Sequence, residues 1–480
     1  MQENKHIFAK GTINLMFAQI IFLGSGYVIH FGLARLVDPV EYGRFGVILS
    51  ILMITQIFLN RGIPETVSKF ISEGKDSKIV KRKSLEIQLV LSIIISLMVF
   101  ILAPFISDIL HDSILVDYIR LVSFIIPIRA ILSIFRGVLN GFRLFKKTAI
   151  VNILNAIFRI FFVFLFVFFG FEIFGAVGGY IFGAAFALLF AYVFSRKNVK
   201  GEKVSSKDVF HFSIPMIGFV ATYTIIQNFD IFFVKSLISN QEMAGFYTSA
   251  RAISSIVFGV VITLSITLLP SISKSYAKKD FSQVKNYIRE SVRYLLIFLL
   301  PLGIVISCFS KEILSLFFPV EYVVASGALS VLIFGTILLA FVVVFGSIFN
   351  GIGKPMISFV SCIFLFLLDV VLNYFLVIGL GIVGSAYALL ITGVVGFFLF
   401  SSIVFSKFRV LIDFMSFLKI SLSGIFIVFL IYLIKSFFEI KNISLILVCL
   451  ILLFVYFISL MFLKEIKRSE IDLLKNIIKI

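Results

Sequence analysis

A small set of arginines and acids interrupts otherwise apolar runs of this chain. Arg129 and Arg159 stand deepest, about fourteen and about eleven residues into their runs. At about 1.5 Å per residue, Arg159 falls near the middle of a membrane-length helix and Arg129 somewhat nearer its inner end. An ionised side chain at that depth costs about 2.5–3.5 kcal/mol on insertion scales, so one that persists faces a polar cavity or a partner. The guanidinium is a planar fork that takes phosphate or carboxylate oxygens two at a time and keeps its charge when desolvated, so its chemistry is anion binding. Arg251 lies in the outer third of its run, Arg44 and Arg120 near the outer interface, and Arg136 and Arg293 near the inner one. For Arg120, Arg136 and Arg293 the competing expectation is snorkelling to headgroups.

The acids are fewer. Asp230 lies in one apolar run and Asp369 in another, with Asn373 one turn beyond Asp369 on the same face. Two carboxylates, an amide oxygen and freed backbone carbonyls satisfy an oxygen-coordinated sodium ion, whereas a single protonatable Asp serves proton coupling. The alternatives are that Asp230 pairs with Lys235 or that either acid is protonated.

The elements that must position these groups follow from composition. Of 480 residues, 60% are apolar and 14% charged, against about 25% charged in soluble proteins, which makes this a membrane protein. Cys308, Cys362 and Cys449 all fall inside apolar runs, and an odd number of such thiols argues against a disulfide framework or a zinc site. Crossing the hydrocarbon core takes about 20 mostly apolar residues. Such runs occur at about 11–34, 42–60, 86–107, 115–135, 148–169, 173–195, 209–236, 243–269, 291–310, 324–349, 357–378, 381–406, 417–438 and 442–463. The first is too long for a signal-peptide core and lacks a small-residue cleavage site, so it reads as a retained helix.

Net charge is +18, and its distribution follows membrane topology rather than a nucleic-acid footprint. Segments 61–85, 136–147, 196–208 and 271–290 carry seven, four, five and five Lys or Arg, while 106–118 and 170–174 carry none. Under the positive-inside rule both termini face the cytoplasm. No polar connection exceeds about 25 residues, which leaves no room for a soluble catalytic or nucleotide-binding domain. The glycine-rich stretch from Gly346 to Pro355 has no Ser or Thr after Lys354 and no strand before it, so it is not a phosphate loop.

The chain also repeats itself at a period of about 205 residues. Phe135-Arg-Gly-Val-Leu-Asn140-Gly141 matches Phe345-Gly-Ser-Ile-Phe-Asn350-Gly351, and Gly175-Ala-Val-Gly178-Gly-Tyr180 matches Gly381-Ile-Val-Gly384-Ser-Ala-Tyr387. The expected fold is therefore all-α and integral to the membrane, with fourteen transmembrane helices. Two six-helix lobes of like orientation, 1–200 and 201–410, precede a terminal helix pair and cytoplasmic tail at 411–480. Small residues from Gly175 to Ala185 are expected to serve close helix packing, and Pro127, Pro215 and Pro301 to supply hinges, with a kink at Pro127 aiming Arg129.

Lys10-Gly11-Thr-Ile-Asn, then Leu33-Ala34-Arg35-Leu-Val-Asp38-Pro-Val-Glu41-Tyr42-Gly43-Arg44-Phe45, then Gly62-Ile-Pro64, together with the stretch from Leu372 to Ala386, carry a resemblance over essentially the whole chain. It resembles the polysaccharide-biosynthesis flippases, of the Wzx type, in the multidrug/oligosaccharidyl-lipid/polysaccharide exporter superfamily. The resemblance implies transfer of a polyprenyl-pyrophosphate-linked oligosaccharide to the outer leaflet by alternating access. Arg129 and Arg159 would then hold the pyrophosphate, with Arg251, Arg120 and Arg44 completing the substrate-binding set. Asp230, Asp369 and Asn373 would couple a sodium ion or proton in the second lobe, where some relatives are thought to hold a cation. The lipid II flippases of this superfamily use basic residues in the first helix; this first span has only His30, which favours a surface-polysaccharide substrate.

Besides the lipid-linked glycan and membrane lipids, the expected partners are glycosyltransferases or a polymerase of polysaccharide assembly, and no nucleic acid. The rivals are a cation-coupled multidrug exporter, which would use acids and aromatics rather than arginines, a membrane enzyme, for which no outer loop is long enough, and a non-transporting scaffold.

Overall fold

The computed structural model describes residues 2–60, 62–202, 206–438 and 443–466. Apart from one isolated bridge between Lys75 and Glu202, the regular structure among them is helical. The chain divides into two compact units, 1–248 and 249–480.

The first unit contains α1 (Gln2–Leu36), α2 (Pro39–Asn60), α3 (Ile63–Ser72), α4 (Ser77–Ile109), α5 (Leu115–Ser123), α6 (Ile125–Gly141), α7 (Phe145–Phe166), α8 (Glu172–Phe194), α9 (Ser206–Leu237) and most of α10 (Glu242–Ser254). Helix starts follow local chemistry. Asp38 precedes Pro39 and accepts from the Glu41 backbone N–H at 2.8 Å, and Asp76 accepts from those of Lys78 and Ile79 at 3.0 Å. These are side-chain caps on donors that a helix start leaves unpaired.

Pro127 is the third residue of α6, in the first turn, where its missing N–H costs nothing. The helical hydrogen bonding pauses at Phe124, between α5 and α6, where the backbone stays helical (φ −69°, ψ −21°) and where Pro127 has no N–H to offer the Ser123 carbonyl. Pro104 and Pro301 lie inside helices, and Pro215 falls within α9.

After α7 the chain passes through a wide turn, Val167–Phe171, and folds back as α8. Gly170 has φ 84°, a left-handed conformation that glycine adopts without steric cost. Tight apposition of α7 and α8 depends on two further glycines. A Cβ at Gly179 would fall 2.4 Å from the Val163 nitrogen, and one at Gly183 would fall 2.7 Å from the Arg159 Cα. The small-residue run is a packing seam, as expected.

The second unit holds the end of α10, then α11 (Val257–Ala277), α12 (Phe281–Cys308), α13 (Ser310–Phe317), α14 (Ser326–Gly351), α15 (Pro355–Phe408), α16 (Phe414–Phe437) and α17 (Ile443–Phe462). Helix α15 is interrupted at Gly381 (φ 58°, ψ −139°), and its halves fold back on each other, with Gly396 against Leu365 and Gly384 against Leu376. The internal repeat is visible here, because α6 and α14 both end at an Asn-Gly pair. A Cβ on Gly141 would meet the Ser68 carbonyl at 3.0 Å, and one on Gly351 the Leu269 carbonyl at 3.2 Å.

The division after residue 248 lies later than the one at 200 expected from the repeat, because α9 packs on α2, α3 and α4. Ten stretches among the described residues are long and apolar enough to cross a membrane. Two of them, Phe145–Phe194 and Pro355–Phe408, run to 50 and 54 residues, more than one crossing needs. The protein is a multi-pass membrane protein.

Candidate substrate cavity

Helices α6 and α7 run antiparallel and present polar stripes to one another. On α6 the stripe is Arg129, Ser133, Arg136 and Asn140; on α7 it is Thr148, Asn152, Asn155 and Arg159. Both follow the spacing i, i+4, i+7, i+11, which keeps side chains on one face of a helix. The stripes meet as rungs. Thr148 Oγ1 donates to Asn140 Oδ1 at 2.9 Å, and an Arg136 N–H donates to Asn152 Oδ1 at 3.4 Å. At the far end Arg129 and Arg159 both approach the ring of Tyr180 on α8, at 5.9 and 5.1 Å.

Between the stripes lies a cavity of about 570 Å³, lined by the residues of both except Arg159, which lies just behind it, and by Gln19 and Phe22 of α1, Gln56 of α2 and Glu65 of α3. That volume lies in the range of small-ligand sites, about 300–1,000 Å³.

The two deep arginines are held differently. Arg159 donates to the Phe22 carbonyl at 3.1 Å and to the Ser25 hydroxyl, and its guanidinium lies 4.5 Å from the Phe22 ring. Arg129 is 7% exposed and, among the described residues, has no ion pair and no hydrogen bond. Its ring contact with Tyr180 compensates only part of the cost of burying a charge.

The other sequence-predicted arginines lie elsewhere. Arg44 is engaged by acids: Nε donates to Asp112 Oδ2 at 2.8 Å, a terminal N–H donates to Asp112 Oδ1 at 3.1 Å, and Glu41 takes another. Arg120 covers the Phe100 ring at 5.1 Å and does not line the cavity. Arg251 is half-buried near the end of α10, in the second unit. Neither Arg136 nor Arg293 snorkels. Arg136 lines the cavity, and Arg293 donates to Glu465 at 2.7 Å and to Glu290 at 2.8 Å, fixing the segment after α17 to α12.

The acids also differ from the simplest pairing. Lys235 turns to Asp112 at 2.8 Å rather than to Asp230, whose Oδ2 accepts from the Tyr247 hydroxyl at 2.7 Å. Asp369 and Asn373 do come together. Asn373 Nδ2 donates to Asp369 Oδ2 at 3.1 Å, Thr392 Oγ1 donates to Asp369 Oδ1 at 3.1 Å, and Ser385 Oγ donates to Asn373 Oδ1 at 2.7 Å. All four residues are fully buried. Asp230 belongs to the first unit and this quartet to the second.

Sequence reasoning overlooked Ser133, Asn140, Asn152 and Asn155 because single neutral polar residues pass unremarked in apolar runs. Their 4-3-4 spacing, in step with an arginine on each helix, is the signal that identifies them.

A buried arginine facing a polar cavity among packed apolar helices is suited to an anionic solute, and comparison with known proteins gives the fold and the family. Among solved structures the chain resembles the lipid II flippase MurJ in an inward closed conformation, with TM-score 0.77 and 18% identity, covering 95% of this chain and 99% of that one. The fold is that of the multidrug/oligosaccharidyl-lipid/polysaccharide superfamily. Residues 8–276 match the polysaccharide biosynthesis protein family, to which this chain belongs, and residues 215–375 match the MatE family. Its relatives include an uncharacterized membrane protein of Methanocaldococcus jannaschii, 27% identical over 411 residues, 80% of this chain and 95% of the relative. Another is the probable low-salt glycan biosynthesis flippase Agl15 of Haloferax volcanii, 23% identical over 390 residues, 79% of this chain and 80% of the relative.

Proposed function

We propose that the protein is a flippase that carries a polyprenyl-diphosphate-linked oligosaccharide across the cytoplasmic membrane by alternating access. The observation that carries this reading is Arg129, buried in a polar cavity without an anionic partner among the described residues. Arg159, fixed by Phe22 and Ser25, supplies a second positive charge beside it. A diphosphate is the anion that paired guanidinium forks suit. Fourteen crossings with both termini cytoplasmic accord with the basic segments, since Arg143 in the turn between α6 and α7, and Lys146 and Lys147 in the first turn of α7, then lie at the cytoplasmic mouth of the cavity. The protein acts as a carrier rather than an enzyme.

Coupling is assigned to Asp369, with Asn373, Ser385 and Thr392 around it. A buried carboxylate needs a proton or a cation, and this set of oxygens suits a hard monovalent ion such as sodium, or a proton on Asp369 alone. Asp230, hydrogen-bonded to Tyr247, is a second acid for such coupling. The relatedness to a glycan flippase supports the substrate class.

A multidrug exporter is the second reading, favoured by the MatE match over residues 215–375. Against it, a cavity lined by Arg129 and Arg136, with Arg159 behind it, repels organic cations.

The test is leaflet exchange of a fluorescent polyprenyl-diphosphate sugar in proteoliposomes, with and without a sodium or proton gradient. Wild type should show gradient-dependent exchange, Arg129→Ala should lose it, and Asp369→Asn should lose the gradient dependence. Absence of exchange, with uptake of a cationic drug instead, would overturn the reading.

A further inference from the structure

The two stripes extend well past the arginines that a diphosphate needs. From Arg129 to Asn140 the α6 stripe covers eleven residues, about 16 Å of helix, and the α7 stripe matches it rung for rung. Beyond the arginine pair the rungs are Ser133 with Asn155, Arg136 with Asn152, and Asn140 with Thr148. Ser133 donates to the Leu59 carbonyl at 3.0 Å and Thr148 to Asn140, which leaves the amides of Asn152 and Asn155 as the neutral groups open on the path toward the basic α6–α7 turn. Asn155 is 4% exposed and its Oδ1 is buried with no hydrogen-bond partner among the described residues. Among the described residues, Asn152 is held only by the long 3.4 Å contact with Arg136. A buried amide oxygen without a donor is costly unless a ligand supplies one.

Side-chain amides both donate and accept, which matches the hydroxyl and acetamido groups of a sugar. Among the described residues Phe22 is the one aromatic side chain lining the cavity, and Arg159 already lies against its ring. A sugar here is read by hydrogen bonds rather than by stacking on a bare ring.

We infer that the rungs on the cytoplasmic side of Arg129, centred on Asn152 and Asn155, form a sugar subsite that reads the first one or two sugars attached to the diphosphate. This rests on the flippase reading above and adds selectivity to it. The transporter recognises the diphosphate-proximal sugar, and a bare lipid diphosphate is a poorer ligand. A site built to hydrogen-bond a hydroxyl penalises a ligand that lacks it, because its own polar groups are then left unpaired.

The experiment measures binding of three short-tailed probes to the purified full-length protein: farnesyl diphosphate and its glucosyl and N-acetylglucosaminyl esters. Wild type should bind at least one sugar ester about tenfold more tightly than the bare diphosphate. Asn152→Leu and Asn155→Leu should each remove most of that preference while binding the bare diphosphate within about twofold of wild type, which also reports that the variants are folded. Arg129→Gln should weaken all three probes together and leave the preference intact. Equal binding of the three probes by wild type would overturn the sugar subsite and spare the diphosphate site. So would asparagine variants that weaken the bare diphosphate as much as the esters. Failure of wild type to bind any probe, or indifference of all three to Arg129→Gln, would overturn the flippase reading and the subsite with it.

Discussion

Lys235 Nζ lies 2.8 Å from Asp112 Oδ2, with the lysine side chain fully buried. This ion pair ties the end of α9 to the turn between α4 and α5, and Asp112 also receives both bonds from Arg44 of α2. Glu41 joins through Arg44 and accepts from the Tyr118 hydroxyl at 2.9 Å. Breaking a buried pair from one side is expensive because it strands the other charge. Asp112→Ala should therefore lower the stability of the first unit by about 3 kcal/mol, read as a lower thermal unfolding midpoint in detergent. Asp112→Ala combined with Lys235→Met should recover part of that loss.

The same cluster predicts a pH dependence. Burial opposes charge on Asp112, but hydrogen bonds from Arg44 and Lys235 outweigh it and hold the carboxyl below its ordinary value. A carboxylate depressed in the folded state contributes stability above its unfolded pKa and loses that contribution as pH falls through the folded one. The midpoint of wild type should drop more steeply than that of Asp112→Asn below about pH 4, with the two curves parallel near neutrality.

Arg129 should trade stability against activity. Its charge is buried without an ion pair among the described residues, so Arg129→Met should raise the unfolding midpoint while abolishing leaflet exchange. Arg129→Lys should retain charge but lose the planar fork, lowering the exchange rate by about tenfold.

The α7–α8 seam predicts a coupled defect. Gly183→Leu places a side chain where even a Cβ would come 2.7 Å from the Arg159 Cα. Overpacking of this kind costs about 1–3 kcal/mol. Loss of probe affinity should accompany the lowered midpoint, because α7 cannot move without moving Arg159.

Coupling is tested in the second unit. Thr392→Val removes the hydroxyl that donates to Asp369 at 3.1 Å while keeping the shape of the side chain. Exchange driven by a sodium or proton gradient should fall toward the rate measured without a gradient, and downhill exchange should persist.

Much of this architecture was legible in the sequence, because bilayer thickness and loop charge leave few choices for an apolar chain. Arg129 and Arg159 were legible too, since charge inside a span demands a reason. The partners of Arg44 and Lys235 were not. Asp112 sits in a turn far from both in sequence, and a turn acid gives no sign of which helices will close over it. Asp369 and Asn373 were visible as a pair one turn apart, but Thr392 and Ser385 come from the other half of α15, and only the reversal at Gly381 brings them into register.

The 4-3-4 register of α6 and α7 sets a limit on how this protein can change its length. One residue inserted or deleted between Thr148 and Arg159 would turn everything beyond it by about 100°, swinging either the amides or the arginine out among the lipid tails. Variation in length should therefore be tolerated in the Arg143–Leu144 turn and abolish ligand binding inside the hairpin it joins.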